Sequence, residues 1–184
     1  MRYASVEERN AHVRDKGCAV VDTSALLVDN AVQYLQGYHC FTVPKVIEEV
    51  KTLRHKAGVE VLLDAKVLDV VEVARDCLRE VVEVARKSGD ITSLSKTDLE
   101  VLALALQLKR QGRDLVLITD DYTVQNLASR LKIRCHSIKA KGIEKRIRWR
   151  YRCTACGKVY YKFLEECSIC GHELKREVAG YEGL

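Results

Sequence analysis

Five short apolar runs alternate with stretches of helical spacing, and that alternation sets the strongest limit on what this chain can fold into. The runs are residues 18–22 (CAVVD), 39–43 (HCFTV), 67–71 (VLDVV), 114–119 (DLVLIT) and 133–138 (IRCHSI). Strands separated by helices need crossover connections, and right-handed crossovers build a mostly parallel sheet. Runs this continuously apolar fit burial on both faces under flanking helices, so the expected class is α/β. Pro44 presets the first turn of a helix and drives Val43 to extended backbone. Further helices are expected over residues 57–63, over ARDCLREVVEVARKSGD with Gly89 as its stop, and over 122–131. Ser95 caps a helix that carries Lys109 and Arg110 in its last turn and ends at Gly112. That helix is apolar nearly all round from Leu99 to Leu108, so it is expected to be buried.

In a parallel sheet all strand C-termini lie at one edge, where ligands bind. Acids gather at that edge: Asp22 closes the first strand, Glu48 and Glu49 are expected in the first turns after Pro44, Asp98 opens the buried helix, and Asp120 and Asp121 end LVLITDD. Each has a competing structural role. Asp98 with Ser95 resembles a capping box, either aspartate of the pair suits an N-cap, and a glutamate favours a helix N-terminus. Clustered carboxylates repel unless they are protonated, solvated or neutralised by a cation. Hard oxygen ligands select Mg²⁺ or Mn²⁺, and one or two such ions polarise a phosphodiester and activate a water. Other catalytic patterns are missing: there is no glycine-rich phosphate loop, no G-x-S-x-G and no H-E-x-x-H, and the five histidines show no metal spacing.

The tail, CTACGKVYYKFLEECSICG, sets two C-x-x-C-G turns ten residues apart. Each turn converges two thiolates, and the glycine frees its exit from the penalty on left-handed backbone. Cys153, Cys156, Cys167 and Cys170 thus make a closed four-thiolate site for structural Zn²⁺, in the manner of a zinc ribbon, against the alternative of redox dithiols. KVYYKF reads as a strand, and residues 173–176 as an extension of the ribbon. Cys18, Cys40, Cys77 and Cys135 stand alone, which suits buried thiols in a reducing compartment. No apolar run approaches a membrane span, and the N-terminus MRYASVEERNAHVRDKG has no signal core, so a cytoplasmic location is expected.

Net charge is +5, but ten Lys and Arg face the single acid Glu144 between Arg130 and Arg152, so the rest of the chain is net acidic. A basic strap on an acidic body attracts polyanions, nucleic acid first. Lys139, Lys141, Lys145, Arg146, Arg148, Arg150, Arg152, Lys158 and Lys162 supply phosphate contacts in this reading. Trp149 and Tyr151, with Tyr160, Tyr161 and Phe163 beside them, supply rings that stack on bases or cover the ribbon's small core. The expected organisation is an N-terminal extension (1–17), an α/β domain that carries the acids (18–138), a basic linker (139–148), a ribbon (149–178) and a tail (179–184).

VVDTSALL, VPKVIEEVK, SLSKTDLEVLALALQL and LITDDYTVQNLA resemble, in order and spacing, the PIN-domain nucleases. Joined to W-R-Y-R-C-x-x-C-G and a second C-x-x-C-G, they resemble the PIN-plus-zinc-ribbon endoribonucleases of small-subunit ribosome maturation, over residues 18–176. The resemblance implies a PIN-like fold and metal-dependent cleavage of precursor small-subunit rRNA at its mature 3′ end, within a pre-ribosomal particle. It implies a catalytic, metal-holding set of Asp22, Glu49, Asp98 and Asp121. The family pattern T-x-D-aromatic selects Asp121 ahead of Asp120, while Thr23 and Ser24 match hydroxyl residues that orient the first acid or a metal-bound water. Two other readings remain open: a toxin-type PIN ribonuclease, which the zinc tail disfavours, and a non-catalytic RNA-binding scaffold.

Overall fold

The structure is a computed structural model that describes residues 17–138 and 145–183; Lys139, Lys141 and the rest of 139–144 lie outside the described residues, as do 1–16. The first part is a five-stranded sheet of β1 (Gly17–Val21), β2 (Tyr38–Thr42), β3 (Leu68–Val70), β4 (Leu115–Ile118) and β5 (Arg134–His136). The strands lie in the order β3-β2-β1-β4-β5, and every pairing is parallel. Val21 pairs with Ile118 at the upper end of the two central strands. Ala19, Val20 and Val21 are fully buried, as continuous apolar runs in the centre of a parallel sheet must be.

The helices are α1 (Thr23–Leu26), α2 (Ala31–Leu35), α3 (Pro44–Glu49), α4 (Leu53–Asp64), α5 (Arg75–Ser88), α6 (Lys96–Arg110) and α7 (Tyr122–Arg130). Val101 to Ala105 of α6 are all fully buried, as its all-round apolar sequence requires. Gly89 closes α5 in the left-handed conformation at φ 84°. One expectation needs correction. Glu48 and Glu49 do follow Pro44 within two turns, but α3 has only six residues, so Glu49 stands at its C-terminal end and does not serve its N-terminus. The helix stops because Val50, almost wholly buried, turns extended into the core, and Thr52 then caps α4.

The second part is a three-stranded antiparallel sheet, ordered β7-β6-β8, of β6 (Lys145–Cys153), β7 (Val159–Tyr160) and β8 (Leu174–Gly183). Its long pair runs beyond both expected ends of the ribbon. Residues 145–148, expected as linker, and 179–183, expected as tail, are paired strand from Lys145↔Gly183 onward. The pattern hid this because alternating arginines read as a charged linker, whereas the neighbouring strand supplies the backbone partners.

This sheet docks on the first domain through a polar cluster around Asp90, a carboxylate with no exposed surface. Asp90 accepts hydrogen bonds from Asn126 Nδ2 (2.9 Å) and Trp149 Nε1 (2.8 Å). Asn126 Oδ1 accepts from the Ile147 amide at 2.8 Å, the Tyr151 hydroxyl donates to the Gly89 carbonyl at 2.8 Å, and Arg130 donates to the Ile147 carbonyl at 2.7 Å. Among the described residues, no helix is long and apolar enough to cross a membrane.

Candidate active site

Asp22 follows β1 directly and caps α1, so the sheet delivers its carboxylate to the C-terminal edge. It is 4% exposed. Three groups hold it: the Thr23 amide donates to Oδ1 at 2.7 Å, and the Ser24 and Thr119 hydroxyls donate to Oδ2 at 3.0 and 2.7 Å. Desolvation still raises its pKa against these hydrogen bonds, and the charge of Asp121 adds to the rise. Asp98 caps α6 in a reciprocal capping box with Ser95, with hydrogen bonds of 2.7 and 3.1 Å. Its pKa is also raised, first by burial, with Asp22 and Asp121 contributing. Three carboxylates thus feel one another across one edge. Glu49 joins them from the end of α3, its Oε2 accepting from the Thr23 hydroxyl at 2.6 Å.

Asp121 caps α7: its Oδ1 accepts from the amides of Thr123 (2.6 Å) and Val124 (3.4 Å). Capping α7 and lying beside Asp22 and Asp98 are therefore compatible in one residue. Asp120 faces elsewhere; its Oδ1 accepts from Ser137 Oγ and, at 2.8 Å, from the Ile138 amide, latching the end of β5. Among the described residues Glu48 has no such link to the cluster, and it lines a surface groove with Lys56 and Glu60.

Among the described residues' hydrogen bonds, Oδ1 of Asp98, Oδ2 of Asp121 and Oε1 of Glu49 accept nothing, so each of these acids has one oxygen anchored and one to offer. A set of anchored, mutually repelling carboxylates fits a hard divalent cation. Thr119 is the residue that sequence reading passed over. It has no exposed surface, and its hydroxyl both donates to Asp22 and accepts from the Asp121 amide at 3.1 Å, joining two acids from neighbouring strands. The signal was there, as the threonine of T-x-D-aromatic.

The sign of the carboxylate effect is testable. A raised folded-state pKa means that folding favours the protonated acid, so Asp22 and Asp98 favour the fold below the ordinary carboxylate pKa. That contribution is lost as pH rises through their raised values. At neutral pH the metal-free cluster therefore costs stability. Millimolar Mn²⁺ is expected to raise the Tm of the protein at pH 7 but little near pH 3.5, where protons already neutralise the acids. Thermal scans at both pH values check this; an equal gain at both counts against the cluster as the binding site.

The four tail cysteines place their sulfur atoms within 4.8 Å of one another. Cys153–Cys170 and Cys156–Cys167 are 3.4 and 3.6 Å apart, close to the ~3.8 Å edge of a tetrahedron with Zn–S bonds of about 2.3 Å. The Tyr160 hydroxyl, 3.2 Å from Cys167 Sγ, holds that thiol's pKa down to about 6, which favours the thiolate a metal needs. Chelation is expected to release zinc and strip hydrogen-exchange protection from residues 153–173, while α6 keeps its own. Unchanged protection in the tail after zinc loss would overturn this.

Of the expected RNA contacts, Lys145, Arg148, Lys158 and Lys162 are exposed and have no ion-pair partner among the described residues. Arg150 and Arg152 share Glu177 at 3.1 and 3.2 Å, and Arg146 donates to Ser129 Oγ at 3.0 Å. Tyr151 needs correction as a stacking surface: it is 2% exposed, packs edge-on against Phe163, and belongs to the docking interface. Trp149 is partly withdrawn too, with Arg176 over one ring face, 4.0 Å from its centroid. A strand this short of core recruits its aromatics to burial first.

A parallel sheet with this acid-bearing edge defines a PIN-type ribonuclease domain, and residues 19–108 match the family model described as the PIN domain of ribonuclease. Ribonuclease VapC1 of Thermoplasma acidophilum is 41% identical over 85% of this chain and 76% of its own length. Endoribonuclease Nob1 of Pyrococcus abyssi is 39% identical over 82% of this chain and 91% of its own. The more distant 20S-pre-rRNA D-site endonuclease NOB1 of Saccharomyces cerevisiae is 29% identical over 56% of this chain and 22% of its own. The chain belongs to the PIN-domain endoribonucleases of the Nob1 type, with a four-cysteine cluster of zinc-ribbon kind at its C-terminal end. The similarity to VapC1 covers more of this chain than residues 1–138 contain, so it too reaches into the strap and tail. Ribonucleases with this domain generally work with divalent metals.

Proposed function

We propose that this endoribonuclease cuts precursor small-subunit rRNA at its mature 3′ end, in the cytoplasm and on a pre-ribosomal particle, using Mg²⁺ or Mn²⁺. The observation that carries the reading is similarity to archaeal Nob1 over both the acid-bearing domain and the strap. The name of the yeast relative, a 20S-pre-rRNA D-site endonuclease, supplies the substrate class. Asp22, Glu49, Asp98 and Asp121 are the metal-holding set in this proposal. A cation held there would polarise the scissile phosphodiester and lower the pKa of an attacking water.

The chain's own residues do the positioning. Thr119, Ser24 and the Thr23 amide fix both oxygens of Asp22, and the Thr23 hydroxyl steers Glu49. The capping box on α6 and the cap on α7 aim Asp98 and Asp121. Such pre-set ligands avoid reorganisation at the moment of reaction. The exposed cations of the strap hold the RNA backbone in register.

The test is incubation with an RNA spanning the 3′ boundary of the small-subunit rRNA, with Mn²⁺ or Mg²⁺, followed by end mapping. Cutting at the boundary is expected, and Asp22→Asn and Asp98→Asn are expected to bind the RNA without cutting it. Tight binding with no cutting under any metal would favour a scaffold. Preferred cutting of tRNA or mRNA would favour the toxin-type reading that the name of VapC1 suggests.

A further inference from the structure

A cavity of about 230 Å³ opens where the ribbon meets the nuclease domain, lined by Lys87, Ser88, Arg130, Arg148, Trp149 and Tyr161. Its walls come from α5, α7 and the second sheet, so neither part makes it alone. We infer that this cavity is a subsite for one unpaired base of the substrate strand together with its phosphate. The inference rests on the reading of the substrate as RNA.

Three features support it. First, the ladder between β6 and β8 shifts register between Arg148 and Trp149. The extra residue is Ala179 on β8, and a bulge of this kind bends the strand pair and increases its local twist. Here Arg148 and Trp149 both line the same cavity, a cation beside a ring. Gly180 lies opposite Arg148, whose Nη2 would be in van der Waals contact, at 3.4 Å, with a Cβ placed there.

Second, the rings are prepared differently. Trp149 is held rigidly by its hydrogen bond to Asp90 and by Arg176 behind it, so its remaining surface faces the cavity at no further ordering cost. Tyr161 is 74% exposed and free to close on what enters. A fixed ring with a mobile one suits an inserted base, which has a π-face whatever its identity. A base stacked within a duplex cannot enter, so the site selects single strands.

Third, the charge is available. Arg148 has no ion-pair partner among the described residues. Among the described residues Lys87 pairs only with Glu83, at 2.5 Å on the exposed face of α5, a contact weak enough to exchange for a phosphate. Arg130, in contrast, is committed to Glu182 and the Ile147 carbonyl, and frames the wall.

Trp149 is the only tryptophan in the chain, so its fluorescence reports on the cavity. The zinc-loaded, full-length protein is titrated with a short single-stranded oligouridylate, and separately with a duplex RNA of equal length, without added Mg²⁺ or Mn²⁺. The single strand is expected to quench Trp149, and Tyr161→Ala and Arg148→Ala to weaken its binding about tenfold each. Tyr161→Phe, which keeps the ring, is expected to retain it. Equal quenching by the duplex, or unchanged affinity in Tyr161→Ala, overturns the proposal. The two readings fail separately. A protein that cuts the precursor at its boundary while Trp149 ignores the single strand loses the subsite alone. One that shows the expected quenching but never cuts the precursor loses the rRNA assignment and keeps the subsite.

Discussion

Replacing Asp121 by Asn is expected to slow cutting by about a thousandfold, while Asp120→Asn leaves the rate within about threefold of the parent. Losing a ligand to a catalytic cation forfeits several kcal/mol of transition-state stabilisation, and each ~1.4 kcal/mol is a factor of ten. The substitution is clean because asparagine caps a helix as well as aspartate does. Its side-chain oxygen can still accept from the Thr123 and Val124 amides, so α7 keeps its start. Asp120→Asn likewise keeps an acceptor for Ser137 and the Ile138 amide. Single-turnover cleavage rates and thermal scans on both variants check the division. Equal loss of rate from both, with Tm unchanged, would show that Asp120 also serves the cation.

Asp90→Ala is expected to give the largest loss of stability. It removes a fully buried carboxylate and strands Asn126, the Trp149 indole N–H and the nearby Arg130 guanidinium, whose Nε lies 3.9 Å from Asp90 Oδ2. Breaking a buried charged network by deleting one member costs about 3–5 kcal/mol, or roughly 10 °C in Tm for a chain of this size. Trp149 fluorescence should also shift as the ring loses its anchor. Asp90→Asn, which keeps an acceptor, is expected to lose less. A drop in Asp90→Ala below about 1 kcal/mol would show that the second sheet hardly depends on this contact. Gly89→Ala probes the same seam. A Cβ there meets Trp149 Cβ and the Tyr151 hydroxyl at 2.9 Å each, on backbone that disfavours alanine.

The docking seam also explains which expectations held and which changed. The sheet and the buried helix were readable because their signals are local: strand runs, a proline at a helix start, a glycine stop, a serine cap. The acids at the strand ends were readable for the same reason, since a strand that ends in aspartate delivers it to the edge wherever the strand sits. The short length of α3 was not, because it depends on Val50 being drawn into the core. Nor was the inward turn of Trp149 and Tyr151. Their partners Asp90 and Gly89 lie some sixty residues away, and nothing in the alternating arginines and aromatics says which ring finds one.

By itself, then, the sequence determined the α/β class, the edge at which the carboxylates gather, the four-cysteine cluster and the family. These follow from short-range pattern and spacing. Tertiary structure alone decided how the acids are held and how the two parts meet. Thr119 became the bridge between Asp22 and Asp121 only when β1 and β4 paired. LVLITDD placed two like charges side by side; parallel pairing turned Asp121 toward Asp22 and Asp98, and the end of β5 claimed Asp120. The physical reason is that a side chain's role depends on what desolvates it and what bonds to it, and here both come from distant parts of the chain.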